Sequence, residues 1–576
     1  MSDDTMTDDR LLARARDWAA GDPDPATRAE LEALIDAGDP EALRDPVEGG
    51  LEFGTAGLRG VVGAGPNRMN RAVVIRTTRG LADYLLDRVH DAAARGVIVG
   101  FDGRHDSEVF ARDAVGVLAA AGIAVRWFPT PQPTPMIAYA QKALGAAAAI
   151  VITASHNPPE YNGYKVYAEG AAQIVPPTDT AIAAAIERVG PASEVPVDDP
   201  VGSPLVATVD AEVVDRYFDE LRHARPEVSG PDQTIVYTAL HGVATPLIER
   251  ALAEGGYHDV HSVPSQAEPD GDFPTVRFPN PEEPGALDEA LALAAEVDAD
   301  LILANDPDGD RLAAAVPDPA GGYRLLTGNQ IGILLADHLL AGAQADRPLV
   351  VSSIVSTPML HAVAAEYGAR SEVTLTGFKW ICAAARAVEA EDKRVFIFGF
   401  EEALGSSVGT VVRDKDGIGA AVAFADLARS LAADGQTVLD RWAELCQRHG
   451  LWISHQHSVT LPGAAGQQVI AAAMERVASD VPTSLAGYQV EDHLDFRHGV
   501  DQRPAWLGHH DLVSLDLSDG RVMIRPSGTE PKCKIYVDLR GELAPGDDLD
   551  ARTRELIADA EHVAAALAAH VGFDAA

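Results

Sequence analysis

Ala149-Ile150-Val151-Ile152-Thr153-Ala154-Ser155-His156-Asn157-Pro158-Pro159 joins an apolar, largely β-branched run to a polar turn that contains two prolines. A short apolar run of this kind predicts a strand buried on both faces, and the residues before Pro158 predict where the strand ends. Similar runs recur between Ala/Leu-rich segments of helical pattern, at residues 96–100, 234–237, 301–303 and 395–398. Strands that alternate with helices are typical of βαβ units, so the sequence predicts an α/β fold with mainly parallel sheets.

Polar residues follow these predicted strands at the point where each one ends. Asp102-Gly103-Arg104, Ser155-His156-Asn157, the segment from Asp306 to Arg311 and Glu401-Glu402 all occupy such positions. Ligands of open α/β sheets bind at the carboxyl edge of the strands, so we expect these segments to form the functional site.

Composition limits the class of protein. At about 150 residues per domain, 576 residues predict about four domains. The net charge of −41 argues against a nucleic-acid binder and favours solubility. Three separated cysteines without a CxxC pair argue against disulfides and a zinc site, and the acidic start at Met1-Ser2-Asp3-Asp4 is unlike a signal peptide. The expectation is a cytoplasmic protein without membrane spans.

Ser155 is the candidate nucleophile. Its surroundings predict a loop that exposes the hydroxyl, and they lack the Gly-x-Ser-x-Gly pattern of acyl-transferring hydrolases, which leaves a phosphorylated serine as the better interpretation. The alternative is a serine that only caps a strand-to-helix turn. Lys165, ten residues further on, is a candidate partner for a phosphoryl group or an acid/base, although a lone lysine is more often a surface residue.

Asp306-Pro307-Asp308-Gly309-Asp310-Arg311 places three carboxylates at every second position. Carboxylate oxygens beside a phosphate are the ligands that Mg²⁺ prefers. An EF-hand calcium loop begins in the same way, but here Arg311 stands at the sixth position and Pro317 at the twelfth, where glycine and glutamate are required. A solvated acidic turn is the remaining alternative.

Further loops carry groups suited to a phosphorylated sugar. Arg525-Pro526-Ser527-Gly528-Thr529-Glu530-Pro531-Lys532 connects two predicted strands and is rich in phosphate-binding donors. Phe53-Gly54-Thr55-Ala56-Gly57-Leu58-Arg59-Gly60 and Thr376-Gly377-Phe378-Lys379 add basic residues. The paired carboxylates of Glu401-Glu402 could accept hydrogen bonds from sugar hydroxyls. A glycosidase also uses two carboxylates, but it would leave the serine, the three aspartates and the phosphate loop without a role.

Taken in this order, the serine, metal, sugar and phosphate loops resemble the α-D-phosphohexomutase superfamily (phosphoglucomutase/phosphomannomutase) over roughly residues 50 to 540. The resemblance implies three related mixed α/β domains plus a C-terminal α+β domain around a central active-site cleft. The expected boundaries are a helical N-terminal extension at 1–50, a phosphoserine domain at 51–204, a metal-loop domain at 205–322, a sugar-binding-loop domain at 323–450 and a C-terminal phosphate-binding domain at 451–576.

The resemblance also implies residue roles. Ser155 would carry the phosphoryl group and, with Asp306, Asp308 and Asp310, would bind Mg²⁺. Arg59, His156 and Lys165 would surround the phosphoserine, with Lys165 as a candidate acid/base. Lys379 matches the position of a catalytic lysine in glucose-type members. The residues that would contact the substrate are Arg311, Glu401, Ala403, Arg525, Ser527, Gly528, Thr529 and Lys532.

Two positions depart from the family pattern. Phe378 stands where the bacterial phosphomannomutase/phosphoglucomutase branch has a histidine, so the acid/base role of that histidine does not transfer. Ala403 replaces the serine of the Gly-Glu-x-Ser sugar loop; one neutral hydrogen bond is worth about 0.5–1.5 kcal/mol, so we expect altered specificity and not lost activity. These variants are similar to the branch that contains phosphopentomutases and glucose-1,6-bisphosphate synthases.

The predicted function is therefore that of an isomerase of the intramolecular phosphotransferase type. It would interconvert hexose 1-phosphate and hexose 6-phosphate, with glucose and some mannose activity, using Mg²⁺ and a glucose 1,6-bisphosphate type of activator. A phosphopentomutase acting on ribose or deoxyribose phosphates is the alternative, and a catalytically silent sugar-phosphate-binding protein ranks lower. The expected partners are small sugar phosphates, with no nucleic acid or membrane, and the chain is expected to be a monomer or homodimer.

Overall fold

The computed structural model describes residues 6–54, 57–461, 463–526 and 532–573. The chain divides into two compact units. The first unit takes in Met1–Arg225, Pro231–Leu326 and Gly405–Asp426. The second takes in Pro226–Gly230, Thr327–Leu404 and Leu427–Ala576.

The first unit opens with short helices, as the sequence predicted. They are α1 (Asp8–Gly21), α2 (Pro25–Ala37) and α3 (Pro40–Val47). Proline occupies the first position of α2 and of α3, and the preceding Asp24 and Asp39 cap these helices by accepting hydrogen bonds from backbone N–H groups. Leu11, Leu31 and Leu43 meet in a small buried cluster, which holds the three helices together.

The first sheet has the strand order β1-β5-β4-β2-β3-β6. Its strands are β1 (Leu58–Val61), β2 (Val97–Phe101), β3 (Val125–Trp127), β4 (Ala148–Ile152), β5 (Tyr161–Tyr167) and β6 (Val206–Thr208). The helices of this region are α4 (Arg71–Arg88), α5 (Ala92–Arg95), α6 (Ser107–Ala120), α7 (Thr134–Leu144), α8 (Thr178–Glu187) and α9 (Ala211–Ala224), with a 3₁₀ turn at Ala192–Glu194. Every residue of β2 and β4 is buried, which explains their unbroken apolar sequence.

The pairing of this sheet differs in part from the expected parallel arrangement. Strands β3, β2 and β4 run parallel, whereas β5 pairs antiparallel with both β4 and β1. Gly57, just before β1, has φ +78°, and a Cβ atom at this position would lie 1.9 Å from the carbonyl oxygen of Tyr164. Only glycine therefore permits the close approach of this segment to β5.

The second sheet of the first unit has the order β11-β10-β9-β7-β8. Its elements are β7 (Thr234–Thr238), α10 (Thr245–Glu254), β8 (Asp259–Ser262), α11 (Asp288–Val297), β9 (Leu301–Ala304), β10 (Ala313–Pro317) and β11 (Tyr323–Leu325). Strands β8, β7 and β9 are parallel, with β8 at the edge of the sheet, and β10 and β11 continue the sheet antiparallel on the other side. This sheet is mixed, like the first.

The following elements are, in chain order, α12 (Gly328–Gly342), β12 (Pro348–Ser353), α13 (Met359–Glu366), β13 (Arg370–Thr374), α14 (Phe378–Asp392), β14 (Val395–Glu401), β15 (Gly405–Val408), α15 (Gly417–Ala433) and α16 (Val438–His449). Strand β12 of the second unit pairs in parallel with both β13 and β14. Strand β15 and the start of α15 belong to the first unit.

The C-terminal part of the second unit is the antiparallel α+β region that the sequence predicted. Its elements are β16 (Leu451–Thr460), α17 (Gly463–Ser479), β17 (Ser484–Leu485), β18 (Tyr488–Asp495), β19 (Val513–Leu517), β20 (Gly520–Pro526), β21 (Lys532–Gly541) and α18 (Leu549–Val571), with 3₁₀ turns at Val500–Gln502 and Ala505–Leu507. The strand order is β16-β21-β20-β19-β18-β17, and α18 packs on β16 and β21.

The predicted strands at residues 96–100, 149–152, 234–237, 301–303 and 395–398 are confirmed to within a few residues as β2, β4, β7, β9 and β14. Cys382, Cys446 and Cys533 are buried free thiols, as expected. Among the helices of the described residues, none combines the length and apolar character that crossing a membrane requires.

Candidate active site

Ser155 lies three residues beyond β4, in a tight turn where its φ of +54° places the backbone in the left-handed region. Its N–H donates to Thr153 Oγ1 at 2.8 Å. The expectation that the turn exposes the hydroxyl is wrong, because Ser155 is only 3% exposed. A tertiary contact buries the hydroxyl: Ser155 Oγ lies 3.1 Å from Oδ2 of Asp306, which follows β9 in the second sheet of the same unit.

The three aspartates form one buried cluster. Asp306, Asp308 and Asp310 are each 0% exposed, which excludes a solvated acidic turn. One ligand atom from each lies within 4.8 Å of the others. Asp308 Oδ1 and Asp310 Oδ1 are buried and have no hydrogen-bond partner among the described residues. Carboxylate oxygens left without donors at this spacing fit a hard divalent cation such as Mg²⁺.

Cationic side chains surround the carboxylates. Lys165 Nζ, from β5, lies 2.7 Å from Asp308 Oδ2 and 3.2 Å from Asp310 Oδ2. Lys415 Nζ lies 3.2 Å from Asp310 Oδ2. Arg311 Nε lies 3.7 Å from Asp306 Oδ2. Among the described residues of the first unit, these three cations each lie within 4 Å of at least one of the three carboxylates.

Burial and charge act in opposite directions on these groups. Burial, reinforced by Asp308 and Asp310, raises the pKa of Asp306 well above its usual range. Burial alone would also raise the pKa of Asp308, but the ammonium of Lys165 outweighs it and lowers that pKa. The carboxylates of Asp308 and Asp310 outweigh the effect of burial on Lys165 and raise the pKa of its ammonium group. Lys165 is therefore an ammonium at neutral pH and holds its proton more tightly than an exposed lysine does.

Arg104 holds the backbone of the serine turn in place through hydrogen bonds. It is 4% exposed, and its guanidinium donates to the carbonyl oxygens of Ser155 at 2.7 Å, Pro158 at 2.8 Å and Tyr161 at 3.2 Å, and also to that of Asn157. Because a guanidinium presents several donors in one plane, one side chain fixes the path of the whole turn. Asp102, 3.3 Å from Arg104 Nε, balances the buried charge.

Two predicted neighbours of the serine lie at the same turn. His156 Nδ1 is 3.2 Å from Ser155 Oγ, and burial together with Arg311 and Arg59 lowers the pKa of His156 to about 2. The imidazole is therefore neutral at working pH. Arg59 Nη1 donates to Asn157 Oδ1 at 3.0 Å. In the first unit the structure thus brings the predicted serine, metal and basic residues together.

The other predicted residues belong to the second unit. Glu401 is the last residue of β14, Ala403 follows it, and Lys379 is the second residue of α14. The neighbouring Glu402 accepts hydrogen bonds from Ser353 Oγ at 2.9 Å and Ser356 Oγ at 3.1 Å.

The described ends of the predicted phosphate loop lie in β20 and β21, which pair antiparallel. Arg525 in β20 donates a hydrogen bond at 2.9 Å to Oγ1 of Thr376, which lies just before α14. Lys532 is the first residue of β21. Thr376 thus connects this loop to the segment that carries Lys379. The predicted Ser527, Gly528 and Thr529 lie outside the described residues.

Sequence reasoning missed three participants. Arg104 was recognised only as part of a polar strand end, although the Asp-Gly-Arg pattern there was the available signal. Lys415 stands in Asp414-Lys415-Asp416, an alternation of charges that was not used. Thr134 Oγ1 donates to Asp308 Oδ2 at 2.8 Å, and nothing in its local sequence marks it.

Models of the phosphoglucomutase/phosphomannomutase family match in succession along the chain. The matches are to alpha/beta/alpha domains I, II and III at residues 50–192, 215–321 and 327–449, and to the C-terminal domain at residues 472–556. The chain belongs to the phosphoglucomutase/phosphomannomutase family and is a phosphomutase, an isomerase. The predicted family and α/β class are confirmed.

Relatives in this family bear several substrate names. A protein of Haemophilus influenzae named "Probable phosphomannomutase" is 40% identical over 82% of this chain and 93% of its own length. A phosphopentomutase of Mus musculus is 34% identical over 92% of this chain and 90% of its own. In fold, the chain resembles the phosphoglucomutase parafusin from Paramecium, with a TM-score of 0.67, 18% identity and coverage of 90% of this chain and 95% of that one.

Proposed function

We propose that this phosphomutase interconverts hexose 1-phosphate and hexose 6-phosphate, with glucose as the main sugar and mannose as a second, through a phosphoserine at Ser155 and a sugar bisphosphate. The observation that carries the proposal is the 3.1 Å contact between Ser155 Oγ and Asp306 Oδ2 at the edge of the buried aspartate cluster. The choice of hexose is supported by the 40% identity to the relative named "Probable phosphomannomutase", against 34% to the phosphopentomutase of Mus musculus.

The proposed reaction moves one phosphoryl group in each direction. The free hydroxyl of a hexose monophosphate attacks the phosphorus on Ser155, so the Ser155 Oγ–P bond breaks while a new O–P bond forms on the sugar. The attacking hydroxyl loses its proton and the serine oxygen regains one. The bisphosphate then turns over and returns its other phosphoryl group to Ser155, which leaves the isomeric monophosphate and needs no further reactant.

The described side chains suit this transfer. Lys165, held as an ammonium by Asp308 and Asp310, can donate a proton and offset negative charge near the phosphoryl group. Bound Mg²⁺ on Asp306, Asp308, Asp310 and the phosphoserine would stabilise the charge that develops on the phosphoryl oxygens. Neutral His156 keeps the serine oxygen in place without adding charge.

Substrate binding is proposed from the family resemblance. Glu401 and Ala403 would contact the sugar hydroxyls, and Lys379 would act as a catalytic lysine at the end of the sugar that reacts. The non-transferring phosphate would be held by Arg525, Ser527, Gly528, Thr529 and Lys532, with Arg311 contacting the other phosphate. The boundaries at residues 50, 204, 322 and 450 remain part of the proposal, and so does activation by a glucose 1,6-bisphosphate type of compound.

The test compares mutase rates on glucose 1-phosphate, mannose 1-phosphate and deoxyribose 1-phosphate at equal concentration, with Mg²⁺, catalytic glucose 1,6-bisphosphate and continuous measurement of free phosphate. We expect glucose to be converted fastest, without phosphate release. Faster conversion of deoxyribose 1-phosphate would overturn the hexose assignment in favour of a pentomutase. Ser155→Ala should abolish turnover of every sugar while leaving the fold intact, and normal rates in this variant would refute the phosphoserine mechanism.

A further inference from the structure

Two cavities lie in the first unit, away from the aspartate cluster, and share three lining residues. Their volumes are about 290 and 270 Å³, and both are lined by Arg14, Trp18 and Arg76. Arg14 and Trp18 come from α1, and Arg76 comes from α4. The remaining walls are mainly apolar and include Ala72 and Pro191 in one cavity and Leu51 and Phe53 in the other; the acidic side chain of Asp17 also lines the first.

The two arginines are unusual in their partners. Arg76 donates to the carbonyl oxygens of Gly190 at 3.1 Å and Val189 at 3.0 Å, and Arg14 donates to that of Gly49. Within the described ranges neither arginine forms an ion pair. Burial and the nearby charge of Arg14 lower the pKa of Arg76. Asp17 also lines the cavity of about 290 Å³, but in the described part of the chain no ion pair joins its carboxylate to either guanidinium group.

Trp18 supplies an independent signal in the same place. The guanidinium carbon of Arg76 lies 5.5 Å from the centre of the indole ring. Trp18 Nε1 is buried and has no hydrogen-bond acceptor in the part of the chain that the structure describes. A buried indole N–H usually finds an acceptor, but this one has no accessible surface, so the face of the indole ring, and not its N–H, is what Trp18 offers to a ligand.

We propose that the cavities lined by Arg14, Trp18 and Arg76 form a binding site for a small organic phosphate that carries a planar ring, the chemistry of a nucleoside monophosphate. Two guanidinium groups are suited to a phosphate dianion, which they bind through paired N–H donors. The apolar walls and the indole suit a flat ring. Known ligand pockets measure roughly 300–1,000 Å³, and each of the two cavities lies just below the lower end of this range.

This site is separate from the proposed catalytic residues. None of Ser155, Lys165 and the three aspartates lines either cavity. The site therefore stands or falls independently of the phosphoserine mechanism, and its ligand should bind equally well to the Ser155→Ala variant.

The test is calorimetric titration of the full chain with AMP, in the presence of saturating glucose 6-phosphate so that sugar-phosphate sites are occupied. We expect one site with a Kd below about 1 mM, and at least tenfold weaker binding of inorganic phosphate, since phosphate lacks the ring. Arg14→Met and Arg76→Met should each weaken AMP binding about tenfold or more. Arg79→Met is the matched control, because Arg79 is on the same helix, pairs with Asp83 at 2.7 Å and lines neither cavity.

Three outcomes would overturn the proposal. They are the absence of AMP binding up to about 5 mM, AMP binding that is unchanged in both arginine variants, and equal affinity for AMP and inorganic phosphate. Because Arg76 also ties α4 to the backbone at Val189 and Gly190, circular dichroism must show native folding of its variant. Trp18→Leu provides a second variant that should weaken AMP more than inorganic phosphate.

Discussion

Replacing Lys165 by methionine should destabilise the first unit strongly when no divalent metal is present. The side chain of Lys165 is 8% exposed, and that of Asp308, its partner at 2.7 Å, is 0% exposed. Removing one partner of a buried ion pair leaves an uncompensated buried charge and costs about 3–5 kcal/mol. The first unit has roughly 340 residues, for which an unfolding entropy of about 2.1 cal/mol/K per residue gives about 1.4 °C per kcal/mol, so its thermal transition should fall by roughly 4–7 °C.

The assay is differential scanning calorimetry of wild type and Lys165→Met in EDTA and again in millimolar Mg²⁺. Since a bound cation would replace the lost ammonium beside Asp308 and Asp310, the difference between the two proteins should shrink markedly with Mg²⁺. Catalysis should not recover in parallel, because a positioned acid/base contributes about 10²–10⁴ in rate and the metal cannot replace its proton.

Lys142→Met is the matched control. Lys142 Nζ pairs with Glu220 at 3.0 Å, but the two side chains are 31% and 46% exposed, so loss of the ion pair should cost no more than about 1 kcal/mol. If Lys165→Met in EDTA lowers the transition no more than Lys142→Met does, the buried ion pair does not stabilise the cluster. If Mg²⁺ leaves the difference unchanged, the aspartates are not the metal site.

Arg104→Met should lower kcat at least tenfold, because it removes the guanidinium donor from four carbonyl oxygens of the serine turn and the counter-charge from Asp102. Arg104→Lys should restore little activity, since one ammonium lacks the planar set of donors. Full restoration by lysine would refute the role of the guanidinium in holding the turn. Burial together with Arg525 lowers the pKa of His510 to about 4, against the opposing Asp511, so that the unfolded chain takes up the proton first as the pH falls. This shift corresponds to about 3 kcal/mol, which we reduce to about 2 kcal/mol because solvent reaches the partly buried His510, and the second unit should lose this stability between about pH 6.5 and about pH 4. Urea unfolding across this pH range should show the loss in wild type and less of it in His510→Gln, and an equal loss in both would contradict the assignment.

The local sequence was sufficient to predict those strands whose formation depends on their own residues. The apolar runs of β2 and β4 predicted buried strands because a strand in the middle of a sheet is covered on both faces, and both strands are fully buried. The antiparallel placement of β5 between β1 and β4 was not predictable from its own residues. It depends on a close backbone contact at Gly57, whose need for glycine becomes visible only against Tyr164.

The candidate site shows the same division. Ser155, Asp306, Asp308 and Asp310 could be selected because each carries its chemistry in a local motif. That Ser155 is buried on Asp306, 151 positions away, could not be read from the turn, since the turn residues alone favour exposure. Arg104 acts only through backbone carbonyls that any sequence possesses, so its role leaves no mark on the residues it holds.

The charges of the cluster explain how it could serve phosphoryl transfer. Three carboxylates lie within ion-pair distance of the cations Lys165, Lys415 and Arg311, so much of their negative charge is already offset by protein groups. A phosphoserine brings a charge of about −1.5 to −2, and Mg²⁺ brings +2, so the pair can enter together with little net change in buried charge. Either one alone would leave the buried cluster unbalanced. Under the proposed function, Mg²⁺ should therefore bind more tightly when Ser155 is phosphorylated. Transfer of the phosphoryl group to the sugar should weaken the binding of Mg²⁺ to the aspartates.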